Sequence, residues 1–267
     1  MPKNNPVVAL LSDFGLSDHY VATMKGAMLA IAPNLNIVDL NHEVGAQNTS
    51  KAAYLLWASY RYFPKKTIFT CVVDPGVGTS REIIIARTKH FTFLAPQNGI
   101  LDYVLWTEEV RNVTVVQLAS RRVRSMLPPW ISNTFHGRDV FAPLTAHLAK
   151  GIRSKDLGKS RAVNWIQPPF VDKSNPLAKA RIVDIDRFGN IITNIASVEH
   201  ERPPGVRGMK LGATKIDRWI ENYESAPLNV PCLIVGSSGL VEIVMKRQSA
   251  DNALKADQQV LLGILRA

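Results

Sequence analysis

The chain has 267 residues, 46% hydrophobic and 20% charged, enough for one large domain or two smaller ones with a packed core. It contains no run of about 18 apolar residues, which excludes a membrane-spanning helix. The net charge of +10 raises the question of a polyanionic partner. The bases are scattered, however, over Lys65-Lys66, Arg121-Arg122-Arg124, Lys150 to Arg161 and Arg202 to Arg218. With no basic helix or RNA-binding signature, a basic soluble surface is favoured over a nucleic-acid face.

The N-terminal segment leads through a short apolar run, Val7 to Leu11, into Asp13. It is expected to be a first strand rather than a signal peptide. His19 to Ile31 follows as an amphipathic helix with Met24, Ala27, Met28 and Ile31 on one face. Ile37 to Leu40 is a strand. Ala52 to Phe63 is a helix, with Thr49 or Ser50 as its N-cap. Thr67 to Val73 is a buried strand. Ile83 to Arg87 and Phe91 to Leu94 form a hairpin, Gly99 to Trp106 a short helix and Arg138 to Leu148 a longer one.

Residues 159 to 177 are rich in Pro and polar residues and suggest a linker or long crossing. Beyond them, strands are expected at Ala180 to Asp184, Ile191 to Ile195, Val230 to Val235, Leu240 to Met245 and Val260 to Leu265. The fold class expected is α/β: an N-terminal, mainly parallel sheet with helices on both faces, plus a smaller C-terminal β-barrel-like domain. The boundaries are an N-terminal catalytic domain over 1–165, a linker over 166–177 and a C-terminal domain over 178–267. Cys71 and Cys232 lie in apolar segments, as buried free thiols of a cytoplasmic protein would.

The stretch VVDPGVGTSRE, Val72 to Glu82, resembles a phosphate cradle but lacks the spacing of either nucleotide motif. The run after Arg81 is β-type, so no helix N-terminus is present to hold a phosphate. A Pro-Gly turn explains Pro75, Gly76 and Gly78 but leaves Asp74 and Arg81 unexplained. Asp74 ends a strand at the sheet edge where ligands of open α/β sheets bind, and Arg81 returns to face it. Alone, such a pair is more often structural than catalytic. Asp13 ends the first strand, where a carboxylate can accept from a ribose diol or serve as a turn cap. His136 precedes a helix in TFHGRDVFAP, as a base or as a satisfied loop histidine. In DIDRFGN, Asp186, Phe188 and Asn190 stand together at a turn, with an aromatic face and an amide edge that suit adenine. In VGSSGL, Ser237 and Ser238 form a corner that suits a carboxylate or is simply a turn. The His and Cys spacings fit no metal site, and none is expected.

Seven segments, taken together and in order, resemble one family: SDFGLSDHYVATMKG, NIVDLNHEV, FPKKTIFTCVVDPGVGTSRE, LAPQNGILDYVL, TFHGRDVFAPLTAHLA, DIDRFGNIITNI and GSSGLVEI. This is the S-adenosylmethionine (SAM) hydroxide adenosyltransferase family, relatives of the SAM-dependent fluorinase and chlorinase. The resemblance implies hydrolysis of SAM to adenosine and L-methionine with no cofactor, by a catalytic set that falls on Asp74, Arg81 and His136. It also implies that Asp13 holds the ribose hydroxyls, Phe188 and Asn190 meet adenine, Asp186 pairs with the methionine ammonium, and Ser237 and Ser238 hold its carboxylate. Asn98 is a further candidate near the ribose or the loop. Family members resemble homotrimers with sites between subunits. The alternatives are a halogenase of the same fold, a SAM-binding protein without turnover and a nucleic-acid-binding protein.

Overall fold

The computed structural model describes residues 5–164, 166, 169–172, 179–256 and 262–266. The chain divides into two compact units, Met1–Ile166 and Gln167–Ala267. In the first, β1 (Val7–Ser12), α1 (Tyr20–Ile31), β2 (Asn36–Asn41), α2 (Thr49–Ser59) and β3 (Ile68–Val72) alternate. There follow β4 (Ile83–Thr88), β5 (Thr92–Pro96), α3 (Asp102–Thr107), β6 (Val110–Val116), α4 (Arg121–Arg124), α5 (Ala142–Ala149) and β7 (Gly158–Arg161). They build one seven-stranded sheet of order β2-β1-β3-β5-β4-β6-β7. Pairing is parallel from β2 through β5 and antiparallel beyond, so only β4 and β7 run against the rest.

The central strand explains the layering. All five residues of β3, IFTCV, are buried, as expected of a strand covered on both faces. On one face Met24 and Met28 of α1 and Leu144 of α5 pack with Val8, Leu10, Ile68 and Val72. Thr70 and Thr145 hydroxyls meet at 2.6 Å and tie β3 to α5. The other face is aromatic: Phe69 and Phe93 stack at 5.0 Å, Tyr60 meets both edge-on, and Trp57 reaches Tyr103 of α3. The parallel sheet with helices on both faces is therefore as expected.

Local details differ. Asn48, not Thr49 or Ser50, caps α2 by accepting the Lys51 N–H at 2.9 Å. The helix stops at Ser59 and continues as a single 3₁₀ turn, Tyr60–Tyr62. β6, α4 and β7 have no counterpart in the sequence reading, although VRNVTVV of β6 is rich in β-branched residues. β7, GKSR, has no apolar side chain; its backbone pairing with Val113–Val116 makes it a strand.

The second unit holds β8 (Ile182–Ile185), β9 (Ile191–Ala196), β10 (Val206–Leu211), β11 (Thr214–Ile216), β12 (Cys232–Val235), β13 (Leu240–Val244), α6 (Ala250–Leu254) and β14 (Gly263–Arg266). They form two antiparallel sheets, β12-β13-β9-β8 and β11-β10-β14. One core joins both, with Ile191, Ile195, Leu233 and Ile243 from the first and Met209 and Ile216 from the second. β10 and β11 have no counterpart in the sequence reading, being short runs interrupted by Arg, Lys and Gly. Val260 of the last expected strand and much of the expected linker lie outside the described residues.

Asn48→Ala removes an oxygen that satisfies a first-turn N–H of α2. It is expected to lower stability by about 1 kcal/mol, with Asn48→Asp close to the parent. Urea unfolding followed by circular dichroism measures both; equal midpoints for parent and Asn48→Ala would refute the cap.

Candidate active site

β3 ends at Val72, and Val73 and Asp74 carry the chain over the carboxyl-terminal edge of the sheet. The loop then closes on itself: Val77 N–H donates to Asp74 O at 3.1 Å, and both the N–H (3.1 Å) and the hydroxyl (2.6 Å) of Thr79 donate to Gly76 O. Gly78 has φ +78°, and a Cβ there would lie 2.3 Å from the Asn133 carbonyl oxygen. The loop thus needs glycine both for its left-handed backbone and for its contact with the segment leading to His136. Asn98 braces the strand end by donating from Nδ2 to Val73 O at 2.8 Å.

This turn brings Arg81 back onto Asp74. Nε donates to both carboxylate oxygens, at 3.1 and 2.9 Å, and Nη2 donates to Oδ2 at 2.6 Å. Both side chains are largely buried, 12% and 5% exposed. Arg81 Nη2 also reaches His136 Nδ1 at 2.8 Å, and its guanidinium carbon lies 5.9 Å from the Phe141 ring centroid. A guanidinium only donates, so Nδ1 is the acceptor and the neutral ring carries its proton on Nε2. Burial and the Arg81 charge hold the His136 pKa below its ordinary value, against the opposing pull of Asp74 and Asp139. His136 is therefore neutral near pH 7. It stands immediately before a single π-helical turn, Gly137–Phe141. Tight packing fixes that turn: a Cβ on Gly137 would meet Met24 Sδ at 3.0 Å and the Phe14 and Phe135 rings at 3.1 Å.

Asp13, Asp74 and His136 line one cavity of about 280 Å³. Phe14, Tyr20, Gln47, Thr134 and Phe135 share its wall. The Phe14, Tyr20 and Phe135 rings pack at centroid distances of 5.0 to 5.8 Å, giving an aromatic side to an otherwise acidic pocket. One oxygen of Asp13, Oδ2, accepts the Gln47 N–H at 2.8 Å. A clamp from β2 holds the turn carrying Asp13. The His42 ring meets Ser12 Oγ at 2.6 Å and Asp39 at 3.1 Å, and the His42 carbonyl accepts the Gly15 N–H at 2.8 Å. Lys25 completes the chain by donating to Asp39 at 2.6 Å. Sequence reasoning missed Tyr20, Gln47, Thr134, Phe135 and the His42 clamp. Phe14 and Tyr20 lie within SDFGLSDHY, and Thr134 and Phe135 open TFHGRDVFAP, so all four were available there, whereas nothing local marks Gln47.

In the second unit, Asp186 organises the DIDRFGN turn. Its Oδ1 accepts the N–H groups of Phe188 and Asn190, and its Oδ2 accepts Asn190 Nδ2, all at 2.9 Å. The Phe188 ring is thereby left 78% exposed, an unusual position for a large aromatic side chain. In the GSSG turn, Ser238 Oγ is buried without a hydrogen-bond partner among the described residues. Glu242, buried on β13, accepts from Tyr223 OH at 3.2 Å, and its carboxyl pKa is raised by burial and by the Asp186 charge. The expected site residues therefore stand in two places: Asp13, Asp74, Arg81, Asn98 and His136 at the sheet edge of the first unit, and Asp186, Phe188, Asn190, Ser237 and Ser238 on turns of the second.

Profiles of the SAM hydroxide adenosyltransferase N-terminal and C-terminal domains match residues 8–158 and 180–260. The chain belongs to the SAM hydroxide adenosyltransferase family. It is similar to an (R)-S-adenosyl-L-methionine hydrolase of Thermus thermophilus, 34% identical over 92% of this chain and 94% of the relative. A fluorinase of Actinoplanes sp. is 29% identical over 76% of each. A solved structure of an uncharacterized conserved protein from Thermotoga maritima superimposes with a TM-score of 0.82 at 29% identity, covering 97% of this chain and all of that one. Asp74, Arg81 and His136, the three residues on which the resemblance places the catalytic set, are in mutual hydrogen-bond contact through Arg81.

The His136 imidazole is expected to titrate below 6.5 in an NMR pH series, and Arg81→Gln is expected to move its midpoint upward by removing one cause of the depression. Because the folded value is the lower one, the unfolded chain binds this proton more readily. The stability contributed by neutral His136 is therefore complete above about 6.5 and lost as pH falls below it. A midpoint indifferent to Arg81→Gln would overturn the assigned contact.

Proposed function

We propose that this chain hydrolyses SAM to adenosine and L-methionine, with water attacking C5′ of the ribose as the C5′–S bond breaks. The observation that carries this proposal is the hydrogen-bonded Asp74–Arg81–His136 set on the wall of the Asp13 cavity, in a chain of this family. The sulfonium leaves as a neutral thioether, so no acid is required on the leaving group. The demand falls on the nucleophile. Neutral His136 presents Nε2–H to a water oxygen, while Asp74 offers the nearby carboxylate to take the proton. Nδ1 already accepts from Arg81, which makes His136 an orienting donor and not the base. Arg81 neutralises Asp74 and stabilises hydroxide character beside it. Positioning of this kind can supply roughly 7–11 kcal/mol of a barrier, and general-base help roughly 10²–10⁴-fold.

Asp13 is assigned to the ribose diol, with Oδ1 free of described partners while Oδ2 is tied to Gln47. The exposed Phe188 ring is assigned to stacking on adenine and the Asn190 amide to its edge. Asp186 is assigned to the methionine ammonium, and Ser237 and Ser238 to its carboxylate. Resemblance to trimeric family members supports a homotrimer in which each site lies between subunits, and sedimentation velocity is expected to give three times the chain mass. The proposal assigns no cofactor. It places the enzyme in the cytoplasm, where the buried free thiols of Cys71 and Cys232 stay reduced.

Incubation with SAM, with and without chloride or fluoride, is expected to give adenosine and methionine under every condition. A 5′-halo-5′-deoxyadenosine would instead mean a halogenase. Asp74→Ala is expected to lower turnover by about 10²–10⁴-fold while SAM binding by calorimetry survives. Turnover at the parent rate would remove Asp74 from the chemistry.

A further inference from the structure

Five cations that are dispersed in the sequence are gathered by the fold. Lys65, Lys66, Arg87, Lys89 and Arg111, with His90, line a groove of about 1080 Å³ in the first unit; Arg153, which is paired with Asp156, and Lys155 also line it. The groove runs along the sheet edge opposite the candidate active site, where β1, β3 and β5 begin: Val7, Ile68 and Thr92 also line it. Of the described residues that line it, none is Asp or Glu. Among the described residues, none of these five cations has a carboxylate within ion-pair distance. Repulsion among like charges held together is unfavourable unless an anion offsets it.

The backbone beneath the cations is fixed. The Lys66 N–H donates to the His90 carbonyl at 2.6 Å, and the Thr92 N–H to the Thr67 carbonyl at 3.2 Å, so the loop before β3 and the β4–β5 hairpin turn form one platform. Lys66 holds a left-handed φ of 75° in that platform. The Thr88 hydroxyl accepts the His90 and Phe91 N–H groups and secures the hairpin. The loops thus bring Lys65, Lys66, Lys89 and His90 toward Arg87 and Arg111 from two sides. The volume lies just above the range of about 300–1,000 Å³ typical of small-molecule sites. Phe91, its one aromatic residue besides His90, is buried, so the groove offers no exposed Phe, Tyr or Trp platform on which the bases of a single strand stack.

We propose that this groove is a binding site for a small oligophosphate, an anion carrying several linked phosphates, separate from the site of SAM hydrolysis. The cationic SAM is repelled by it, so the groove does not hold a second substrate molecule. Lys and Arg supply the charge-assisted hydrogen bonds that phosphate oxygens accept. The proposal is independent of the reaction assigned to the other edge of the sheet.

The test uses the full chain and inorganic tripolyphosphate, by isothermal titration calorimetry at physiological ionic strength, where the Debye length of about 8 Å suppresses long-range attraction. Saturable binding is expected, with orthophosphate far weaker. Lys66→Ala and Arg87→Ala, both exposed changes, are each expected to weaken it about tenfold, the loss of one charge-assisted hydrogen bond. Adenosine formation from SAM should stay at the parent rate in both, and thermal melting confirms that both are folded. Absence of tripolyphosphate binding would overturn the proposal, as would equal affinity in parent and variants. An RNA oligonucleotide is the competing arm: tight binding of RNA that tripolyphosphate fails to displace would make the groove a nucleic-acid surface instead.

Discussion

The structure of the candidate site depends on one ion pair. Asp74 and Arg81 are both largely removed from water, and charges in that position persist only when each is neutralised and its hydrogen-bonding groups are used. Three N–H···O contacts do this. Nη2 of the guanidinium also donates to His136, which fixes the tautomer of the ring, and burial together with the Arg81 charge keeps the ring neutral. The loop between the two partners follows from the same demand. It must reverse within six residues, and it does so through internal hydrogen bonds and a Gly78 backbone that a side chain would drive into Asn133.

Around that pair the site is braced from all sides. Asn98 holds the strand end that bears Asp74, the His42 clamp holds the turn that bears Asp13, and the π-helical turn seats His136 against α1. Just past Arg81, Glu82 and Gln97 receive the Arg161 guanidinium from β7. These contacts remove conformational freedom from the residues assigned to touch substrate, which lets a site place a weak nucleophile such as water.

The two ends of the parallel strands differ in charge. The carboxyl-terminal end presents Asp13 and the Arg81-paired Asp74 to a cavity, so Asp13 carries the negative charge there that suits a sulfonium cation. The amino-terminal end presents a groove of cations without a lining carboxylate. The first unit holds 19 of the Lys and Arg residues against 11 of the Asp and Glu, so most of the net charge belongs to it. This separation keeps the cationic field away from the substrate assigned to the other end.

By itself the sequence determined the alternation of strands and helices, the buried β3 and the β4–β5 hairpin, and it singled out Asp13, Asp74, Arg81 and His136 as candidates, which the fold brings to one edge of the sheet. Periodicity and chain-local turn chemistry encode the elements, and seven ordered segments encode the family. It misplaced the α2 cap by one or two residues and gave no sign of β7, because GKSR is a strand only through the partner it pairs with. Tertiary structure alone decided what Arg81 does. His136 is 55 residues away along the chain, and only the return of α5 onto the sheet brings its ring to the guanidinium. The tautomer follows from that contact, and the depressed basicity from burial together with the Arg81 charge. The basic groove was decided in the same way, since Lys65, Arg87 and Arg111 belong to different elements and meet only where β3, β4 and β6 share a sheet edge.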